Sequence, residues 1–145
     1  MRHLTTDEIR QIQSLLNDIK KEYLLGDVGR YTERYQDFLL KIPQRYSGTN
    51  IWSMSFSSQK DTFLHIISKK PHENHWVNKK AIFQAVSGGA DLTAVNTAGK
   101  TPMDIARENN DKEMMALLVC AQRRRQWDNF MTLCMHSANW LHEKN

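Results

Sequence analysis

Length, composition and charge narrow the classes of protein to which this chain can belong. Its 145 residues are 40% hydrophobic and 25% charged, which favours one soluble domain over residues 1–145 with a sizeable core. The formal net charge of +4 arises from 20 basic and 16 acidic residues that are mixed along the chain, which is weak evidence for a polyanionic partner. No apolar run approaches the roughly 20 residues of a membrane span, and the polar N-terminus is not typical of a signal peptide.

The two cysteines, Cys120 and Cys134, indicate the redox environment. Their spacing is typical neither of a metal site nor of a redox motif, so a reducing compartment is the simplest interpretation. We therefore expect a cytoplasmic protein.

The first 42 residues predict a hairpin of two helices. Thr5 and Glu8 have the spacing of a capping box, in which each side chain accepts from the other residue's backbone N–H. Apolar residues then repeat at helical spacing until Gly26, and a second amphipathic run extends from Val28 to a predicted end at Pro43. Two helices with so short a connection should fold back on each other, and we interpret them as an N-terminal cap.

Residues 43–60 are the least helical part of the chain. Ser, Gly, Thr and Asn alternate there with large apolar residues, which predicts an irregular segment packed against the domain. Trp52 has two interpretations: a core anchor, which we favour because large apolar side chains usually fix such segments, and an exposed binding aromatic.

Residues 88–118 contain the signals of a loop, a helix, a turn and a second helix. Gly89 can take the left-handed conformation that ends a helix, while Thr101 and Pro102 suit the start of the next one. Between them, Asn96 and Gly99 suit a tight reversal. One such unit cannot bury its own apolar face, so a second copy is expected.

The second copy lies upstream, in residues 61–67 (DTFLHII), which resemble the Thr-Pro-Leu-His-x-Ala signature of ankyrin repeats with Phe63 in place of proline. With residues 89–91 (GAD) and 99–102 (GKTP), the chain resembles the ankyrin-repeat family over about residues 57–121, as two divergent repeats within 61–121. Thr62 and Thr101 are 39 residues apart, against a family period of about 33. We expect the excess in an insertion at residues 71–76.

This resemblance implies an all-α fold in which two ankyrin-like helix-turn-helix repeats lie between the N-terminal hairpin and a C-terminal helix. Residues 122–145 carry apolar side chains at helical spacing, including Trp127, Phe130, Met131 and Cys134. We expect this segment to be a capping helix that lies across the open end of the second repeat.

Candidate catalytic and metal-binding groups are few. His72 and His75 have no further ligand nearby in sequence, so a polar exposed insertion is favoured over a metal site. Cys134 and His136 are two residues apart on a predicted helix and face different directions. We therefore expect no catalytic residues, no metal, no cofactor and no enzymatic activity. The resemblance implies that His65 forms a structural hydrogen bond to the neighbouring turn.

Three consecutive arginines, Arg123, Arg124 and Arg125, are the strongest charge feature. They suit phosphate contacts, but no DNA-reading motif or interleaved aromatic accompanies them, and consecutive helical positions spread over most of a helix surface. A solvated helix face is favoured over a nucleic-acid contact.

Ankyrin-like proteins bind other proteins through their turn tips and the inner face of each first helix, and the resemblance implies the same here. The predicted partner-binding residues are Val95, Asn96, Thr97, Lys100, Met103, Arg107, Gln59 and Lys60. His75 and Trp76 of the insertion are a second candidate, held equal with an insertion that only accommodates the cap.

The sequence therefore predicts a non-enzymatic protein-protein interaction module, an adaptor or inhibitor of another protein, monomeric in isolation. The alternative is a basic nucleic-acid-associated factor that uses Arg123, Arg124 and Arg125. By analogy, compact ankyrin-like cores between unrelated helices are common in bacterial or viral effectors, which would place the chain in a host cytoplasm.

Overall fold

The computed structural model of the chain describes residues 2–46 and 48–144, except for the side chains of residues 128 and 134–144. The described part contains six α-helices and no strand, which confirms the all-α prediction. The helices are α1 (Thr6–Leu24), α2 (Val28–Arg45), α3 (Phe63–Lys69), α4 (His75–Ser87), α5 (Pro102–Glu108) and α6 (Lys112–Lys144). The side chains of Cys134 and His136, considered above as a catalytic pair, lie outside the described residues.

The N-terminal cap of α1 is the predicted capping box. Thr5 Oγ1 accepts from the backbone N–H of Glu8, and the Glu8 carboxylate accepts from the backbone N–H of Thr5. The Arg2 guanidinium also donates to both oxygens of Glu8, at 2.7 and 3.1 Å. These hydrogen bonds, that from Arg2 first, lower the pKa of Glu8 to about 2.

The second helix extends further than the sequence indicated. The predicted end of α2 at Pro43 was wrong, because the helix includes Pro43 and ends at Arg45. Pro43 cannot donate to the carbonyl of Leu39, but the helix continues for only two residues beyond it, and the N–H of Tyr46 again donates to the carbonyl of Ile42. Pro43 is buried in this position, and α1 packs along α2 as the predicted hairpin.

Trp52 lies in the core, which confirms the favoured interpretation of this residue. It belongs to a short 3₁₀ helix (Asn50–Ser53), is 2% exposed, and meets the Phe63 ring edge-on with 5.3 Å between centroids. Its ring approaches Gly88 so closely that no Cβ fits at that position. The segment around Trp52 is thus fixed to the end of α4, and glycine is needed there for close approach.

Two helix-loop-helix units stand side by side. The first helices α3 and α5 pack against each other, as do the second helices α4 and α6, and α2 extends the second row on the far side of α4. The Tyr35 hydroxyl of α2 lies 2.8 and 2.9 Å from the carbonyl oxygens of Lys70 and Ile66, at the end of α3. One buried hydrophobic cluster contains residues from all six helices.

The C-terminal segment does not cap the second unit. A separate helix over residues 122–145 was expected, but α6 continues without a break from Lys112 to Lys144. Residues 112–144 contain no glycine or proline, so the sequence has no helix-breaking residue between the two expected helices. Among the described side chains of α6, Ala121 is the last buried one, and those from Gln122 to Leu133 are exposed.

The predicted insertion at residues 71–76 is also smaller than expected. The loop between α3 and α4 contains five residues, against three between α5 and α6. His75 and Trp76 are the first two residues of α4, with Asn74 as the N-cap. They were expected in a loop, but Asn74 accepts a hydrogen bond from the Trp76 N–H and starts the helix before them.

Candidate protein-binding surface

Two turns of the same geometry precede α3 and α5, and we call residues 57–61 and 96–100 the turn pair. In the first turn, Ser57 Oγ accepts from the backbone N–H groups two and four residues later, at 3.2 and 3.4 Å. In the second, Asn96 Oδ1 accepts from the N–H groups at the same offsets, at 3.0 and 3.1 Å. A hydroxyl and an amide oxygen therefore stabilise equivalent backbone turns.

The two turns are bonded to each other through the backbone. The N–H of Thr97 donates to the carbonyl oxygen of Gln59 at 2.9 Å. Each turn also has one residue in the left-handed region, Lys60 with φ 59° and Gly99 with φ 74°. Glycine takes this conformation at no steric cost, whereas lysine does so under strain, so the first turn relies more on its side-chain bonds.

His65 of α3 links the second turn to Thr62, the residue that follows the first turn. Its Nε2 lies 2.9 Å from the carbonyl oxygen of Lys100, which can only accept, so Nε2 carries the proton. Nδ1 is then free to accept from the N–H of Thr62 at 3.1 Å. The ring is fully buried, which confirms the structural hydrogen bond that the sequence predicted.

Asp61 forms a third connection. Its buried carboxylate accepts from Asn96 Nδ2 at 3.1 Å and from Lys69 Nζ at 2.7 Å. Burial by itself would raise the pKa of Asp61, but the hydrogen bonds from Lys69 and Asn96 outweigh it, so the pKa lies below its usual range. The contact between Asp61 and Asn96 could not be predicted from the sequence, because the two residues are 35 positions apart and no helical period relates them.

The lowered pKa of Asp61 predicts a specific loss of stability in acid. A depressed carboxyl pKa contributes stability that is present above the unfolded-state value of about 3.9 and disappears as pH falls through the folded-state value. Asp61→Asn should be less stable than wild type at neutral pH, and the difference should narrow below about pH 4. Urea unfolding of both proteins from neutral pH to below pH 4 measures the difference in their free energies of unfolding. A difference that stays constant with pH would contradict the lowered pKa of Asp61.

Four of the predicted binding residues lie together at the tip of the turn pair. Gln59, Lys60 and Thr97 belong to the turn pair, and Val95 directly precedes its second turn; all four are exposed, and the bond between Thr97 and Gln59 places the two turns side by side. Val95 is 56% exposed, which is unusual for a β-branched apolar residue. The tip therefore offers apolar, polar and basic side chains on a fixed backbone.

Three further predicted residues flank the tip and contact their own chain. Lys100 Nζ lies 2.8 Å from the Glu108 carboxylate, and an Arg107 guanidinium nitrogen lies 3.2 Å from Asp104. Met103 is partly buried against the hydrophobic core. Both ion pairs are largely exposed and therefore weak, so a partner carboxylate can compete for either cation.

Asn96 does not belong to the exposed surface. It was expected to contact a partner, but it is 8% exposed, and its amide is used by the turn backbone and by Asp61. The reason is geometric, since an asparagine that closes a turn with its side chain must point that side chain into the turn.

His75 and Trp76 lie away from the turn pair, in the first turn of α4. His75 Nδ1 is 3.6 Å from the Glu113 carboxylate of α6. Trp76 is 70% exposed, with the Lys79 ammonium 5.2 Å from its ring centroid. The two predicted surfaces are therefore separate.

Two of the three consecutive arginines contact the body of the protein. The Arg124 guanidinium lies 5.6 Å from the ring centroid of Phe83, and Arg125 donates to the carbonyl oxygen of Ala90 at 2.9 Å. These contacts hold the first exposed turns of α6 beside α4 and supply a structural role for both residues.

The described part of the chain contains several histidines and carboxylates that could in principle bind a metal ion. No group of three or more His, Cys, Asp or Glu side chains is arranged there to hold a metal ion. His72 Nδ1 accepts from the N–H of Asn74 and so takes part in its own loop. None of the described helices combines the length and the apolar character of a membrane span.

Comparison with known proteins gives no relative. No protein-family model matches the chain, and no match was found among curated proteins or solved structures. The resemblance to ankyrin repeats therefore stays a prediction, and a functional proposal must rest on the residues and their geometry.

Proposed function

We propose that the chain is a non-enzymatic protein-protein interaction module, an adaptor or an inhibitor, which binds a partner protein through the turn pair. One observation carries the proposal: two turns that are far apart in sequence are joined by three independent hydrogen-bonded connections and leave their tip side chains exposed. A surface held in this way loses little conformational entropy on binding.

The composition of the tip suits recognition of a protein. Val95 supplies an apolar contact, while Gln59 and Thr97 supply side-chain hydrogen-bonding groups and Lys60 a charge. Interfaces combine an apolar centre with a polar rim in this manner. Because the tip alone is smaller than the roughly 800 Å² per partner of a standard interface, we include the flanking Arg107 in the proposed surface.

We further infer that the two helix-loop-helix units are ankyrin-like repeats. The side-by-side packing of α3 with α5 and of α4 with α6 supports this inference, as does the bond from His65 to the next turn. The unbroken α6 departs from such a repeat. Cytoplasmic location and an effector role rest on the resemblance alone.

Affinity purification with a tip variant tests the proposed function. We expect a stoichiometric protein partner with wild type and its loss, through at least about tenfold weaker binding, with Val95→Glu, Thr97→Arg. The matched control is Gln13→Arg, Ser14→Glu, which makes the same charge changes at exposed positions of α1. Both variants are first shown to fold by circular dichroism.

Two outcomes contradict the proposal. If the partner remains bound to the tip variant, the turn pair is not the binding surface. If only nucleic acid is recovered, the protein-binding interpretation itself fails.

A further inference from the structure

A groove runs between α2 and α4, apart from the turn pair. Its volume is about 220 Å³, and its walls are mainly apolar. The side chains that matter most here are Leu40, Pro43, Trp76, Val77, Ala81 and Gln84. Since α4 begins after the end of α3 that is remote from the turns, the groove belongs to a different surface.

The groove exposes apolar surface that the chain itself does not cover. Trp76 is 70% exposed and Leu40 is 38% exposed. Tryptophan is strongly enriched among the residues that dominate binding energy at protein interfaces. A large aromatic at the edge of an apolar groove is therefore suited to anchor a partner.

The charge at the groove is basic. Lys80 lines it, and Lys79 lies over the Trp76 ring, and neither ammonium pairs with a carboxylate among the described side chains. No Asp or Glu side chain is among the described residues that line the groove; Glu113 lies 3.6 Å from His75 at the start of α4, and Asp37 of α2 is paired with Lys41 at 3.8 Å. A partner with acidic residues beside its apolar ones would complement this surface.

Gln84 adds an unmet hydrogen-bonding requirement. Its side chain lines the groove, and its Oε1 is buried with no hydrogen-bond partner in the described part of the chain. A buried acceptor without a donor is unfavourable in general.

We propose that the α2–α4 groove docks an amphipathic helix of a partner protein, with its apolar face on Trp76 and Leu40 and its acidic flank on Lys79 and Lys80. Two neighbouring helices provide the shape for a third, which lays its apolar stripe into the groove between them. The lysines select acidic over basic helices. This site is independent of the turn pair and of the function proposed for it.

The probe for this proposal is a synthetic peptide of about four helical turns, with leucine at every third or fourth position and glutamate elsewhere. The control peptide has lysine in place of each glutamate. The ¹⁵N-labelled full chain is titrated with each, and the fluorescein-labelled peptides give affinities by anisotropy.

We expect saturable binding of the glutamate peptide, with amide shifts confined to α2 and α4, and weak binding of the lysine peptide. Trp76→Ala should weaken binding by about tenfold or more. Lys79→Glu, Lys80→Glu should reverse the preference between the peptides, whereas Lys112→Glu, a charge change on the exposed start of α6, should not.

The proposal is overturned if the glutamate peptide gives no saturable binding, if its shifts lie on the turn pair, or if the lysine substitutions leave the preference unchanged. None of these results bears on the tip variant described above. The proposals for the turn pair and for the groove can therefore be tested independently.

Discussion

Trp52→Ala is expected to destabilise the protein by about 3–5 kcal/mol, the usual cost of truncating a buried aromatic ring. The ring is almost completely buried, packs on Phe63 and covers Gly88. Its loss leaves a cavity where the irregular segment meets α3 and the end of α4. Urea unfolding followed by far-ultraviolet circular dichroism measures the change.

Trp76→Ala is the matched control, because the chain carries a second tryptophan that is mostly exposed. It should change the free energy of unfolding by no more than about 0.5 kcal/mol. Equal effects of the two substitutions would contradict the placement of residues 43–60 in the core.

His65→Ala is expected to cost about 2–4 kcal/mol, since it leaves the N–H of Thr62 and the carbonyl of Lys100 without their partner and opens a cavity. The consequence extends to the second turn, which loses one of its three connections to the first. Thermal or urea unfolding gives the magnitude.

His75→Ala serves as the control for this substitution. The His75 side chain is exposed, and so is the Glu113 carboxylate that lies 3.6 Å from it, so the variant should stay within about 0.5 kcal/mol of wild type. A His65→Ala protein as stable as His75→Ala would show that the turns do not depend on the imidazole.

The sequence predicted well those features that short-range chemistry determines. The capping box of Thr5 and Glu8 and the start of α5 at Thr101 and Pro102 depend on residues within one helical turn. The hydrogen bond of His65 was predicted from the resemblance to ankyrin repeats and not from neighbouring residues, and the structure contains it.

Helix ends were harder to predict, because a proline costs one hydrogen bond and some crowding, and the packing of the helix can outweigh that cost. Pro43 falls in the last turn of α2 and is tolerated there. In α6 the repeat pattern stops at about Gln122, but no breaker occurs, so the helix continues. The end of a sequence pattern and the end of a helix are thus different events.

The binding surface could be predicted only in part. Exposed tip residues such as Thr97 follow from the turn position, whereas the inward direction of Asn96 depends on Asp61, which lies in the other turn. The groove between α2 and α4 could not be predicted at all. It arises from the packing of helices whose sequences carry no shared pattern.

Amide hydrogen exchange at the turn pair tests most directly the claim that the two turns form one preformed surface. The N–H of Thr97, bonded across to Gln59, should be protected in wild type, and exchange in both turns should accelerate together in His65→Ala. A Thr97 amide that exchanges freely in wild type, or turns that respond independently to the substitution, would contradict the account.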